Sequence, residues 1–147
     1  MPGTVKLHRV FAAKPEKLYR AFTDADAMTR WLPPNGFTAR MHQHDAKVGG
    51  TYRMSFTNFS TGKSQAFGGT FKELVQNERI VYTDVFDDPN LPGEIVVTVT
   101  LKQVMVGTEV NIVQAGIPDA IPVEACYLGW QESLEYLSKL VTPEIPD

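Results

Sequence analysis

The chain has 147 residues, 43% hydrophobic and 21% charged, ordinary globular values that exclude a disordered or fibrous protein and predict one domain around one core. A formal net charge of -3, with Lys and Arg scattered along the sequence, leaves no electrostatic footprint for nucleic acid. The single cysteine, Cys126, excludes a disulfide framework; an N-terminal stretch broken by Lys6, His8 and Arg9, and no apolar run of about 20 residues, predict a cytoplasmic protein without a membrane span.

Val5 to Phe11 reads as a first strand, with Leu7, Arg9 and Phe11 alternating against Lys6, His8 and Val10. Pro15 suits the first turn of a short helix, where Glu16 faces the positive end of the dipole and Leu18, Ala21 and Phe22 share a side. Asp24 or Asp26 caps a second short helix carrying Met28, Trp31 and Leu32, which Pro33 and Pro34 terminate.

From Phe37 to Ala115 the period is close to two, the pattern of an antiparallel meander. Strands are predicted at Phe37 to His42, Thr51 to Thr57, Gln65 to Val75, Arg79 to Phe86, Glu94 to Lys102 and Thr108 to Ala115. The Gly68–Gly69 pair interrupts the third of these and predicts a bulge or tight bend, hence a curved sheet. After Pro118 the period becomes 3.6, and Cys126, Trp130, Ser133, Leu134, Leu137, Leu140 and Val141 fall on one face of a helix from Pro122 to Val141, about 30 Å long. Gly129 inside it costs up to about 1 kcal/mol relative to Ala, and close approach of another backbone is the expected compensation.

Residues 13–24 (Ala-Lys-Pro-Glu-Lys-Leu-Tyr-Arg-Ala-Phe-Thr-Asp), Arg30-Trp31-Leu32-Pro33-Pro34 and Val48-Gly49-Gly50-x-Tyr52 together resemble the START-like (SRPBCC) superfamily. More narrowly, the chain is similar to bacterial homologues of the C-terminal domain of the activator of heat shock protein 90 ATPase. The resemblance runs on through Gly69-Thr70-Phe71-Lys72-Glu73-Leu74, Asn77-Glu78-Arg79-Ile80, Gly107-Thr108-Glu109-Val110 and Gly129-Trp130-x-x-Ser133-Leu134, almost the whole chain. It implies an α+β helix-grip fold: a curved seven-stranded antiparallel sheet around the long C-terminal helix, two short helices after the first strand, and a cavity between helix and sheet. Relatives include lipid carriers, cyclases and chaperone cofactors, so the fold does not choose the function.

Alternation puts Phe37, Ala39 and Met41 on one face, and likewise Tyr52, Met54 and Phe56, then Val97, Val99 and Leu101; these faces should meet the helix. Three polar residues share such faces: Gln114 with Val110 and Ile112, Asp84 with Ile80 and Tyr82, and Arg9 with Leu7 and Phe11. A buried polar group costs about 1 to 3 kcal/mol unless it is hydrogen-bonded, so each should pair with another or orient a ligand. Arg9 needs a carboxylate, from Asp84, Glu73 or Glu124; Gln114 and Tyr82 are the groups to anchor a ligand carbonyl or hydroxyl.

Catalytic signals are thin. His42 and His44 should share the solvated face opposite Met41, near a turn, which is a poor metal site even with Asp45 beside them. His8 should be exposed, Cys126 is placed as an inert thiol on the apolar helix face, and the Val48-Gly49-Gly50 and Phe67-Gly68-Gly69 runs lack the Lys and spacing of a phosphate loop. No catalytic residue, metal or cofactor is therefore expected.

The leading expectation is a binding module: a hydrophobic or aromatic small molecule held between helix and sheet, roofed by the Trp31 segment and contacted by Tyr52, Met54, Phe56, Val99, Gln114 and Trp130, with Tyr82, Asp84 and Cys126 also at hand. Loops at Pro33 to Gly36 and Asp87 to Gly93 would control entry. A chaperone-cofactor-like protein interaction is the alternative, and a cyclase-like enzyme using Tyr82, Asp84 and Gln114 a third. An exposed edge strand or the Phe59 to Phe67 hairpin offers a two-fold interface, which would make a second copy the partner.

Overall fold

A computed structural model describes residues 2–147. In chain order it contains β1 (Gly3–Phe11), α1 (Pro15–Thr23), α2 (Ala25–Trp31), β2 (Phe37–His44), β3 (Thr51–Asn58), β4 (Ser64–Val75), β5 (Arg79–Phe86), β6 (Ile95–Val104), β7 (Gly107–Ile117) and α3 (Val123–Val141). The seven strands form one antiparallel sheet in the order β1-β7-β6-β5-β4-β3-β2. The predicted α+β helix-grip arrangement is what the chain adopts, with every predicted element present and most strands longer by one or two residues at an end.

Local chemistry accounts for the helix boundaries. Pro15 starts α1, and the Asp24 side chain caps α2 by accepting from the Ala27 N–H at 2.9 Å, satisfying one of the amides a helix start leaves unpaired. Pro122 precedes the first turn of α3. In α3 the buried side chains are Trp130, Ser133, Leu134, Leu137 and Val141, all in the C-terminal two-thirds, where the helix packs on β1, α1 and α2. Leu140, expected on the apolar face, lies at its border and is exposed, and the first turns stand clear, with Tyr127 and Leu128 exposed.

The glycine pair acts through close approach. A Cβ on Gly69 would lie 1.9 Å from the Thr83 carbonyl oxygen, so only glycine lets β4 pass β5 at that spacing. The register shift between β4 and β5 comes later, between Phe71 and Glu73. A second shift, between Met41 and Gln43, changes the reading of the two histidines. An extra residue in a strand reverses the alternation beyond it. His42 therefore stays outside, its Nε2 2.8 Å from the Ser55 hydroxyl, whereas His44 turns inward opposite Tyr52. There its Nε2 donates to the Thr23 carbonyl at 2.6 Å, and the ring meets Phe71 edge-on. The two do not share a face, and no cluster of metal-ligating side chains exists among the described residues.

Arg9 reaches none of the carboxylates predicted for it. Its guanidinium donates to Glu135 of α3 at 3.4 Å, while Glu73 pairs with Arg79 at 3.0 Å. His8 is exposed, as alternation requires, and lies 3.2 Å from Glu109.

Candidate functional site

Between the first turns of α3 and the sheet lies a cavity of about 620 Å³. It exists because α3 is seated at one end only: Leu134, Leu137 and Val141 are pressed into the core, and the helix then stands off toward its N-terminus. Gly129 lies in this raised part and lines the cavity, with nothing within 4 Å of where its Cβ would be. The backbone approach expected there is absent. The missing side chain leaves open volume instead.

The sheet wall is built by register. Tyr82, Val97 and Gln114 stand side by side across β5, β6 and β7, with Asp84 two residues further along β5. The Gln114 Oε1 accepts from the Trp130 indole Nε1 at 2.9 Å, so the side-chain amide keeps its two N–H donors. The Tyr52 hydroxyl donates to the Thr83 carbonyl at 2.8 Å, and its ring stands edge-on to Tyr82 at 6.0 Å. Phe67 bridges Phe56 and Phe86, with centroid separations of 4.9 and 6.3 Å.

Asp84 is the anomaly. Its Oδ1 is sealed from solvent and has no hydrogen-bond partner, while the carboxyl belongs to the cavity wall. Burial pushes the carboxyl up to about 7, with a smaller downward pull from the Tyr52 hydroxyl beside it. Burial also raises the Tyr52 and Tyr82 hydroxyls and the Cys126 thiol, so these hold their protons at neutral pH.

Of the residues singled out from sequence, Tyr52, Phe56, Tyr82, Asp84 and Gln114 line the cavity from the sheet, and Cys126 and Trp130 line it from the helix. Trp31, Met54 and Val99 do not. All three are fully buried: Trp31 stacks edge-on against Phe22 at 4.8 Å and donates its indole N–H to the Ala21 carbonyl at 2.8 Å. The roof comes from their neighbours Met28, Leu32 and Pro34. The Pro33–Gly36 loop is tied to α3, since the Asn35 N–H donates to Glu132 at 3.1 Å and the Tyr136 hydroxyl donates to the Asn35 side chain. The Asp87–Gly93 loop takes no part in the cavity; its place as the exposed rim is taken by Thr61, Lys63 and Gln65 at the β3–β4 turn.

Residues not singled out include Phe67, Phe86 and Gly129. Phe86 was within reach, because it continues the Tyr82–Asp84 face at two-residue spacing. Phe67 depends on strand pairing, and nothing in the sequence marks Gly129 as open rather than crowded.

A family model described as Activator of Hsp90 ATPase homolog 1-like protein matches residues 12–142. Among solved structures, Protein CV1439 from Chromobacterium violaceum is 55% identical with a TM-score of 0.96, covering 98% of this chain and 100% of that one. A protein from Arthrobacter aurescens shares the fold at 18% identity and TM-score 0.85, over 94% of this chain and 85% of that one. A protein from Mycobacterium smegmatis, Ms6760, does so at 17% and 0.79, over 97% and 93%. No curated protein matches the chain. Among the described residues, no helix is long and apolar enough to cross a membrane.

Proposed function

The chain belongs to the family of Activator of Hsp90 ATPase homolog 1-like proteins, and from that premise we propose that it binds a hydrophobic or aromatic small molecule between α3 and the sheet, with no catalysis required. The observation that supports this reading is the cavity itself. At about 620 Å³ it lies in the range of small-molecule sites, and its wall is chiefly aromatic and aliphatic with few polar groups, the composition such sites share. A core meant only for stability would close this space, since cavity surface is destabilising.

Gly129 gives a clean test, because a side chain there enters the cavity without striking backbone. A neutral solvatochromic naphthalene dye should bind the wild-type protein at micromolar concentration with a blue shift. Gly129→Trp, folded by circular dichroism, should abolish that shift. No shift with the wild-type protein, or an equal shift in the plugged variant, removes the reading.

The family description favours a second reading, a chaperone-cofactor-like protein interaction. The exposed Tyr127 and Leu128 of α3 are apolar groups such a role could use. Addition of the protein to an Hsp90 ATPase assay decides it, and an unchanged rate discards it.

A further inference from the structure

Resting on that small-molecule reading, we propose that the ligand is a cationic amine on an apolar or aromatic body, its ammonium seated among the cavity rings and paired with the Asp84 carboxylate. Two independent features meet here. The first is an acid without a counter-charge: Oδ1 of Asp84 is buried and unbonded, the only side chain acting on the carboxyl is the neutral Tyr52 hydroxyl, and among the described residues the only other charged residue lining the cavity is Lys63, exposed on the turn before β4 and not in an ion pair with Asp84. A buried carboxylate with no counter-charge is costly in such surroundings, and a ligand that brings the missing cation offsets that cost. The second is the ring geometry. Tyr52 and Tyr82 stand edge-to-face at 6.0 Å beside Asp84, and Phe67, Phe86 and Trp130 complete an aromatic wall. Aromatic faces attract ammonium groups, most strongly where water is excluded.

A neutral ligand would use the rings and at most donate a hydrogen bond, leaving the carboxylate charge uncompensated. A ligand presenting a carbonyl would need Asp84 protonated, and the two cases separate by pH. No other group facing Asp84 titrates near neutrality: Tyr52 from β3, Tyr82 from β5 and Cys126 from α3 are all held protonated by burial, while β4, β6, β7 and α2 contribute the uncharged Phe67, Val97, Gln114 and Met28. Among the described residues, no histidine lines the cavity. Ionisation of Asp84 must therefore strengthen amine binding as pH rises.

The experiment compares three ligands of one shape by calorimetry: naphthylmethylamine, naphthylmethanol and acetonaphthone. With the wild-type protein at about pH 8, the amine should bind at least about tenfold more tightly than the alcohol, and this advantage should shrink toward about pH 6 as the carboxyl takes a proton. In Asp84→Asn the amine should fall to the affinity of the alcohol, whose own binding stays within about threefold. If the variant does not fold, the pH series on the wild-type protein decides alone. Equal binding of amine and alcohol at about pH 8, or a ketone that binds best and tightens as pH falls, overturns the amine proposal and leaves the small-molecule reading standing. If none of the three binds, both fall.

Discussion

The indole Nε1 of Trp130 donates to the Gln114 Oε1 across 2.9 Å, joining α3 to strand β7 at the cavity wall. Trp130 is buried and its ring lies 6.5 Å from that of Trp31, so Trp130→Ala should cost about 3 to 5 kcal/mol by urea denaturation. Gln114→Leu keeps the volume but orphans the indole N–H and should cost about 1 to 3 kcal/mol. A cost below about 0.5 kcal/mol would mean that the bond to Gln114 does not hold the helix.

Two glycine-to-alanine changes should act in opposite directions. At Gly129 the added methyl meets nothing within 4 Å and the helix gains propensity, so stability should rise by about 0.5 to 1 kcal/mol. At Gly69 the methyl would sit 1.9 Å from a backbone carbonyl oxygen that cannot move without opening the β4–β5 pairing. A loss above about 3 kcal/mol is expected there, measured as the shift in urea midpoint.

Asp84 sets a pH dependence of unusual sign. Its carboxyl titrates at about 7 in the folded protein against 3.8 for an ordinary aspartate, so the folded state keeps a proton that the unfolded chain has already lost. The contribution of this group to stability is therefore most favourable below about pH 4, declines as pH rises to about 7, and is level above, with a total change of at most about 4 kcal/mol. Asp84→Asn removes this effect. The stability difference between variant and wild type should thus grow in the variant's favour from about pH 4 to about pH 8, and a difference that stays constant across the series would contradict it.

The two histidines of β2 should respond unequally. His44→Leu removes a hydrogen bond to the Thr23 carbonyl and an edge contact with Phe71, and should cost about 1 to 2 kcal/mol in chemical denaturation. His42→Leu, on the exposed face, should stay within about 0.5 kcal/mol. Equal effects would place both rings in one environment and remove the bulge as the cause of their separation.

Periodicity, with prolines and a capping aspartate marking the two short helices, determined which segments of this chain are strands and which are helices, and most of the apolar face of α3. Those properties are local: alternation at two residues and recurrence at 3.6 follow from backbone geometry and need no partner. The inward direction of Tyr82, Asp84 and Gln114 was legible for the same reason, as was the outward direction of His8. The shift beyond Met41 was not, because the extra residue is defined only against β3, and it alone decides that His44 lies inside while His42 does not. Tertiary structure likewise decided that Arg9 meets Glu135, that Trp31, Met54 and Val99 are solid core, and that Gly129 faces open space. The first and the last of these depend on where α3 lies over the sheet. That placement is set by how deeply Leu134, Leu137 and Val141 seat at one end of the helix, and the cavity is the volume left at the other, a property of the packed whole that no single segment encodes.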